Sequence, residues 1–212
     1  MAPASPTVPT HTPLTHGGPD PTYRLLGDPF FARLKPGAWF CNAGRGEVVD
    51  EAALGRALAD GRSDAAILDV WDHEPAIDPQ LLASVAIGTP HIAGYSLEGK
   101  LNGTAMVYDA ACRFLGVEPT WRADAAAPPP TVPYVEVSAA GRSDTDVLAE
   151  ITTTVYPIAA DDAALRRTAT MSPVERGHAF DLLRRTYPTR REFRHTAVTI
   201  SGSNIHADDV VV

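Results

Sequence analysis

The stretch AWFCNAGRGEVVDEAALGRALADGRSDAAILDVW, residues 38–71, decides the fold. Residues 38–41 form a short apolar run that predicts a buried strand, and a polar loop with two glycines follows it. A helix is expected over residues 51–60, where Asp50 can cap its first turn. A second apolar run at residues 65–70 predicts the next strand. Apolar strand, loop, helix and apolar strand in this order indicate parallel strands that are covered on both faces.

The pattern continues towards the carboxyl end. Residues 85–88 predict a third strand, and Ser96 caps a long helix whose apolar positions recur at steps of four and three. The Pro/Ala-rich segment 123–133 predicts a linker, and the Pro-rich first dozen residues are expected to be poorly ordered. After the linker a smaller α+β pattern follows. Its expected elements are strands at 134–138 and 196–200 and helices at 145–155 and 173–185.

Composition excludes several classes of function. The net charge of −8 supplies no basic surface for nucleic acid or an anionic membrane, and no apolar run is long enough to span a bilayer. The two cysteines, Cys41 and Cys112, make neither a disulfide scaffold nor a zinc motif, so no metal site is expected. The sequence therefore predicts a cytoplasmic α/β protein.

A polar residue follows each of the three predicted strands. Arg45 comes after the first, Asp69 ends the second with Glu74 close behind, and His91 comes after the third. In open parallel sheets, ligands bind outside the carboxyl ends of the strands, so these side chains predict a binding or catalytic site.

Each of these residues also has a structural interpretation. Arg45 suits a substrate carboxylate but could be a solvated turn residue, and His91 could transfer protons with help from Glu74 or serve packing alone. Asp69 could accept a hydrogen bond from a ligand amide or cap a turn. Three further residues also have two interpretations. They could contact a ligand or cofactor, or they could be core or turn residues: Thr12, Trp71 and Tyr95.

Four motifs in a fixed order resemble those of the D-2-hydroxyacid dehydrogenases. They are HTPLT, NAGRGEVVDEAAL, LDVWDHEP and TPHIAG, and together they cover roughly residues 10–105. Within that family, HIAGYSLEGK and the α+β pattern after the linker look like the branch that oxidises 4-phospho-D-erythronate in pyridoxal 5′-phosphate (vitamin B6) synthesis. The resemblance implies a partial Rossmann-type parallel sheet that binds NAD, followed by a dimerisation domain and hence a homodimer.

The resemblance also implies roles for particular residues. Arg45, Glu74 and His91 match the catalytic arginine, the catalytic glutamate and the general acid/base, and Tyr95 matches a substrate contact. The positions that match cofactor contacts are Thr12, Ala43, Gly44, Arg45, Asp69 and Gly94. Two alternatives stay open: another D-2-hydroxyacid dehydrogenase, of the phosphoglycerate or glyoxylate type, and a non-catalytic dimerisation module.

The chain also departs from the family pattern. It contains no G-x-G-x-x-G, the fingerprint that holds the pyrophosphate of a dinucleotide. The interpretation is a carboxyl-terminal portion of such an enzyme, without the substrate domain and with negligible turnover by itself. The expected division is a truncated NAD-binding domain at 1–122, the linker at 123–133 and the dimerisation domain at 134–212.

Overall fold

The computed structural model describes residues 6–122 and 127–202, which fall into two compact units. The units are Met1–Ala93 with Ala159–Tyr187, and Gly94–Ile158 with Pro188–Val212. These two units do not meet at the predicted 123–133 linker, because residues 159–187, which follow the linker in sequence, belong to the first unit. Residues 123–126 of that linker lie outside the described residues. The domain boundaries therefore stay a prediction.

Helices and strands alternate along most of the described chain. In order they are β1 (Thr7–Thr10), α1 (Asp28–Phe31), β2 (Ala38–Asn42), α2 (Glu51–Ala59), β3 (Ser63–Leu68), α3 (Pro79–Ser84), β4 (Ile87–Gly88), α4 (Leu97–Leu115), β5 (Tyr134–Ser138), α5 (Asp144–Val155), α6 (Ile158–Arg166), α7 (Pro173–Arg185) and β6 (Ala197–Ser201). The first unit contains a four-stranded sheet in the order β1-β2-β3-β4, and every pair of neighbours is parallel. The predicted α/β class with a parallel sheet is confirmed.

The strands end where the candidate site begins. Strand β3 starts and stops two residues earlier than predicted, because its ladder with β2 closes at the pair Asn42 and Leu68. Asp69 therefore lies just beyond the strand, although its amide still donates to the Asn42 carbonyl oxygen at 2.9 Å. Helix α2 begins as predicted, since the Asp50 side chain accepts a hydrogen bond from the Ala53 amide at 3.1 Å.

The expectation of poor order for the first dozen residues is wrong for residues 7–10. Residues 7–10 form β1, which pairs in parallel with β2. The strand includes Pro9, which cannot donate a ladder hydrogen bond, and β1 lies at the edge of the sheet, where proline is tolerated. The composition suggested disorder, but pairing with β2 supplies the order that the local sequence lacks. Residues 1–5 lie outside the described part of the chain.

Helices α6 and α7 complete the core of the first unit. Leu165 and Phe180 are fully buried in the same apolar cluster as Phe40 and Leu54. Helix α6, which the sequence did not predict, is fixed by hydrogen bonds of Arg166 to the carbonyl oxygens of Leu82 (2.7 Å) and Val85 (2.8 Å). The Asp162 carboxylate accepts from the Gly88 amide at 2.7 Å.

The second unit has its own small core. Strands β5 and β6 form a parallel two-stranded sheet, and Val135 and Val137 of β5 pack with Val147 and Ile151 of α5. Helix α4 is capped by Ser96, as predicted. The predicted strands at 134–138 and 196–200 and the predicted helix at 145–155 are therefore present in this unit as β5, β6 and α5, whereas the predicted helix at 173–185 is α7 of the first unit.

No helix within residues 6–122 and 127–202 combines the length and the apolar character that crossing a membrane requires.

Candidate active site

Three of the predicted site residues line one cavity in the first unit. Arg45 follows β2, Glu74 lies in the turn after β3, and His91 follows β4. The cavity has a volume of about 200 Å³ and is lined by Arg45, Gly46, Glu47, Trp71, His73, Glu74 and His91. Because parallel strands bring their carboxyl ends to one edge, residues 46 positions apart in the sequence meet here.

Glu74 and His91 form a close pair. Oε2 of Glu74 lies 2.8 Å from Nδ1 of His91, and Oε1 of Glu74 accepts a hydrogen bond from the Trp71 amide at 2.8 Å. A carboxylate can only accept, so Nδ1 is the protonated nitrogen of a neutral His91 and Nε2 keeps a free lone pair. The side chain of His91 is about a third exposed, at 31%. This arrangement can take a proton from a bound hydroxyl group and stabilise the resulting imidazolium.

Asp69 holds the turn that carries His91. Its Oδ1 accepts from the Thr89 hydroxyl at 2.6 Å and from the Ile92 amide at 2.8 Å, and its Oδ2 accepts from the Ala93 amide at 2.9 Å. His91 has a φ of 56°, in the left-handed region that a non-glycine residue adopts at a cost of roughly 1 kcal/mol or more. Of the two predicted roles of Asp69, the structure shows the turn cap, and the ligand contact stays a prediction.

Arg45 is exposed, and its Nη1 donates to the adjacent Gly44 carbonyl oxygen at 2.8 Å. The loop that carries it is organised by Asn42, which is 2% exposed and which the sequence analysis did not identify. The Asn42 amide nitrogen donates to the Arg45 carbonyl oxygen at 3.0 Å, and its Oδ1 accepts from the Gly44 amide at 3.1 Å. These contacts fix the backbone of the loop, and the Arg45 side chain lines the cavity, where its guanidinium can donate to a carboxylate.

Gly46 and Trp71 have structural roles beside the cavity. A Cβ added to Gly46 would lie 2.0 Å from the Trp71 carbonyl carbon, so only glycine allows the two loops to approach. Trp71 is 2% exposed, and its indole nitrogen donates to the Thr89 carbonyl oxygen at 3.0 Å. Trp71 was predicted to line a pocket or to pack in the core, and it does both.

Glu51 is a second residue near the site that the sequence analysis did not identify. Its Oε1 accepts a hydrogen bond from the Asp72 amide at 2.8 Å. Burial raises the pKa of Glu51 to about 7, and the nearby carboxyl groups of Asp72, Asp78 and Glu74 add to the rise. Its place at the first turn of α2 is ordinary for an acidic residue, so the sequence alone gave no reason to single it out.

The other predicted contacts lie apart from this cavity's lining. Thr12 is half-buried after β1, and Ala43 and Gly44 lie in the loop after β2. Gly94 and Tyr95 belong to the second unit, where the Lys100 ammonium lies 4.3 Å from the centroid of the Tyr95 ring. Within residues 6–122 and 127–202 no group of three or more His, Cys, Asp or Glu side chains could hold a metal ion.

The family comparisons divide the chain in two. Residues 1–93 match the NAD binding domain of the D-isomer specific 2-hydroxyacid dehydrogenases. Residues 128–209 match a domain of unknown function, DUF3410.

Curated relatives match over most of the chain. An erythronate-4-phosphate dehydrogenase of Azotobacter vinelandii is 49% identical over 91% of this chain and 50% of the relative. One of Pseudomonas putida is 45% identical, again over 91% of this chain and 50% of the relative. The chain thus spans about half the length of the curated relatives that it matches. Among solved structures, the holo form of Rhodotorula graminis D-mandelate dehydrogenase is similar at 30% identity and a TM-score of 0.46, over 51% of this chain and 30% of that one.

Proposed function

Because residues 1–93 belong to the NAD-binding domain family of the D-isomer specific 2-hydroxyacid dehydrogenases, we propose that this chain is part of an NAD-dependent dehydrogenase for 4-phospho-D-erythronate. The product is (R)-3-hydroxy-2-oxo-4-phosphooxybutanoate, an intermediate of pyridoxal 5′-phosphate synthesis. The observation that carries the proposal is the cavity in which Arg45 and the hydrogen-bonded pair of Glu74 and His91 meet. The names of the curated relatives support this substrate.

The three side chains have separate tasks in the reaction. Arg45 binds the substrate carboxylate and the 2-oxygen with its planar guanidinium. Nε2 of His91 takes the proton of the 2-hydroxyl group, and the Glu74 carboxylate stabilises the imidazolium that forms. When bound, NAD accepts the hydride that leaves C2 of the substrate.

The residues present fit one end of the cofactor. Oδ2 of Asp69 accepts one hydrogen bond from the Ala93 amide and retains a lone pair for a carboxamide N–H. Thr12, Ala43, Gly44, Arg45 and Gly94 are the further residues that we propose to contact NAD. The 212 residues contain no G-x-G-x-x-G for the pyrophosphate, so we expect negligible turnover from them alone.

A chimeric enzyme tests the activity. Residues 1–212 replace the matching half of the Azotobacter vinelandii relative, and NADH formation is followed with 4-phospho-D-erythronate, D-3-phosphoglycerate and D-glycerate. We expect oxidation of the phosphoerythronate. In His91→Gln the turnover number should fall by a factor of at least about 10². The matched control is His178→Gln, since His178 is an exposed residue of α7.

The outcomes separate the candidate functions. A preference for D-3-phosphoglycerate or D-glycerate would contradict the proposed substrate, but it would still support oxidation of a 2-hydroxy acid as the reaction. No oxidation of any of the three acids, with an active parent enzyme, would contradict a catalytic function and favour a dimerisation module. Tyr95, proposed as a substrate contact, is tested in the same chimera by Tyr95→Phe, which should raise KM for the substrate more than it lowers kcat.

Two further parts of the proposal concern assembly and location. We propose a homodimer formed through the DUF3410 region, residues 128–209. Light scattering of the full chain should give twice the monomer mass of 22.6 kDa, and a monomer at micromolar concentration would contradict it. A cytoplasmic location is proposed because Cys41 and Cys112 are both free thiols.

A further inference from the structure

In the turn that carries Glu74, three consecutive backbone amides each donate a hydrogen bond to a side-chain carboxyl oxygen. The Trp71 amide donates to Glu74 at 2.8 Å, the Asp72 amide to Glu51 at 2.8 Å, and the His73 amide to Asp72 at 2.9 Å. Two of these acceptors, Asp72 and Glu74, belong to the turn itself. Glu51 alone of the three comes from another element, the first residue of α2.

Helix α2 gives Glu51 a rigid base. Ala53, Leu54 and Ala57 of this helix are buried in the core of the first unit, so packing holds the helix in place. The hydrogen bond that the Asp72 amide donates to Glu51 therefore fixes the turn against a part of the fold that cannot shift easily. Asp72 is two residues from Glu74 and adjacent to Trp71, whose amide holds Oε1 of Glu74.

We propose that Glu51 is a positioning residue, which fixes the turn at residues 71–74 so that Oε2 of Glu74 stays against Nδ1 of His91. The inference rests on the proposed function in so far as the Glu74–His91 pair is the acid/base pair of the reaction. Glu51 acts through Glu74.

The surroundings of Glu51 indicate that its role is not only to stabilise the fold. Burial and the nearby carboxyl groups of Asp72, Glu74 and Asp78 disfavour its charged form, which is why its pKa is raised. A single hydrogen bond stabilises a fold by only about 0.5–1.5 kcal/mol net, and crowding of carboxyl groups offsets that gain. The arrangement is advantageous when the geometry of the turn matters more than the free energy of unfolding.

Three variants separate positioning from the stability of the helix. Glu51→Gln retains an oxygen that accepts from the Asp72 amide, and Glu51→Ala removes it. Asp50→Ala is the matched control at the neighbouring position. It removes the cap of α2 and costs about 1 kcal/mol, but it leaves the Glu51 side chain and the Asp72 amide unchanged.

The first readout is the Nδ1 proton of His91 in NMR spectra of the ¹⁵N-labelled chain, assigned by its loss in His91→Gln. A hydrogen bond to a carboxylate slows exchange of this proton with water. We expect the signal in the wild type, in Glu51→Gln and in Asp50→Ala, and we expect its loss through exchange in Glu51→Ala. Persistence of the signal in Glu51→Ala, or its loss in both alanine variants alike, would overturn the proposal.

The second readout is turnover in the chimera. Glu51→Ala should lower kcat on the order of tenfold with KM for the substrate nearly unchanged, and Glu51→Gln should restore most of kcat. Equal kcat in Glu51→Ala and Asp50→Ala would contradict a positioning role. The NMR readout needs no turnover, so an inactive chimera with the expected His91 signals would count against the proposed function and not against this inference.

Discussion

The backbone amide of His91 donates to the Asp69 carbonyl oxygen at 2.7 Å, which joins the end of β3 to the turn after β4 at the histidine itself. The Asp69 carboxylate adds hydrogen bonds on both sides of that position, from Thr89 before it and from Ile92 and Ala93 after it. A left-handed conformation at a non-glycine residue persists only when its surroundings determine it in several ways. These contacts supply that determination for His91.

Removing the Thr89 hydroxyl should weaken this turn. Thr89 is 5% exposed, and its hydroxyl donates to a buried carboxylate at 2.6 Å. We expect Thr89→Val, which preserves side-chain shape, to lower the free energy of unfolding in urea by about 1.5–3 kcal/mol. Thr89→Ser retains the hydroxyl and is the control. A valine variant as stable as the serine variant would show that this hydrogen bond contributes little.

Gly46 and Gly55 should respond to alanine in opposite directions. In Gly46→Ala the new Cβ would meet the Trp71 backbone at 2.0 Å, so the two loops must move apart. We expect a loss of roughly 3 kcal/mol or more in the free energy of unfolding, or failure to fold. Gly55 lies within α2 with nothing near its Cβ position, so Gly55→Ala should stabilise by up to about 1 kcal/mol. Urea titrations of the two variants provide the comparison, and equal effects would contradict it.

The raised pKa of Glu51 predicts a dependence of stability on pH. The group titrates at its ordinary value of 4.5 in the unfolded chain and at about 7 in the folded one. Between these values the folded state binds more protons, so the free energy of unfolding falls as pH rises from about 4.5 to about 7. The fall amounts to about 3 kcal/mol at most.

Glu51→Gln should remove that fall, since glutamine does not titrate. Urea titrations at pH 5 and pH 8 measure it, and the wild type should lose more stability between the two than Glu51→Gln does. Equal losses in both proteins would show that Glu51 does not titrate in this range.

Which features the sequence could predict depends on how local their causes are. The positions of Arg45, Glu74 and His91 follow from apolar runs and from the rule that parallel strands end at one edge, so the sequence was sufficient to bring them together. Glu51 touches the Asp72 amide across 21 positions of the chain, and no local pattern indicates such a pair. Strand β1 was missed for a related reason, because its order comes from pairing with β2.

Helix α6 shows the same limit over a longer distance. Its Arg166 reaches carbonyl oxygens more than 80 positions away, and its Leu165 is buried against strands that precede the Pro/Ala segment. Composition marks that segment as a boundary, whereas packing places residues 159–187 with the first unit. We therefore expect the free energy of unfolding of the first unit to depend on the packing of α6 and α7.

Truncation of Phe180 in α7 should destabilise the first unit as a core mutation does. Phe180 is 0% exposed and packs in the cluster that includes Leu54 and Trp71. We expect Phe180→Ala to lower the free energy of unfolding by about 3–5 kcal/mol. Phe114→Ala is the matched control, because Phe114 is 90% exposed and its loss should change stability by less than about 0.5 kcal/mol. Tryptophan fluorescence in urea follows both variants, since Trp71 is buried in the affected core. If Phe180→Ala unfolds at the same urea concentration as Phe114→Ala, α7 is not part of that core, and the 159–187 segment folds independently of the sheet.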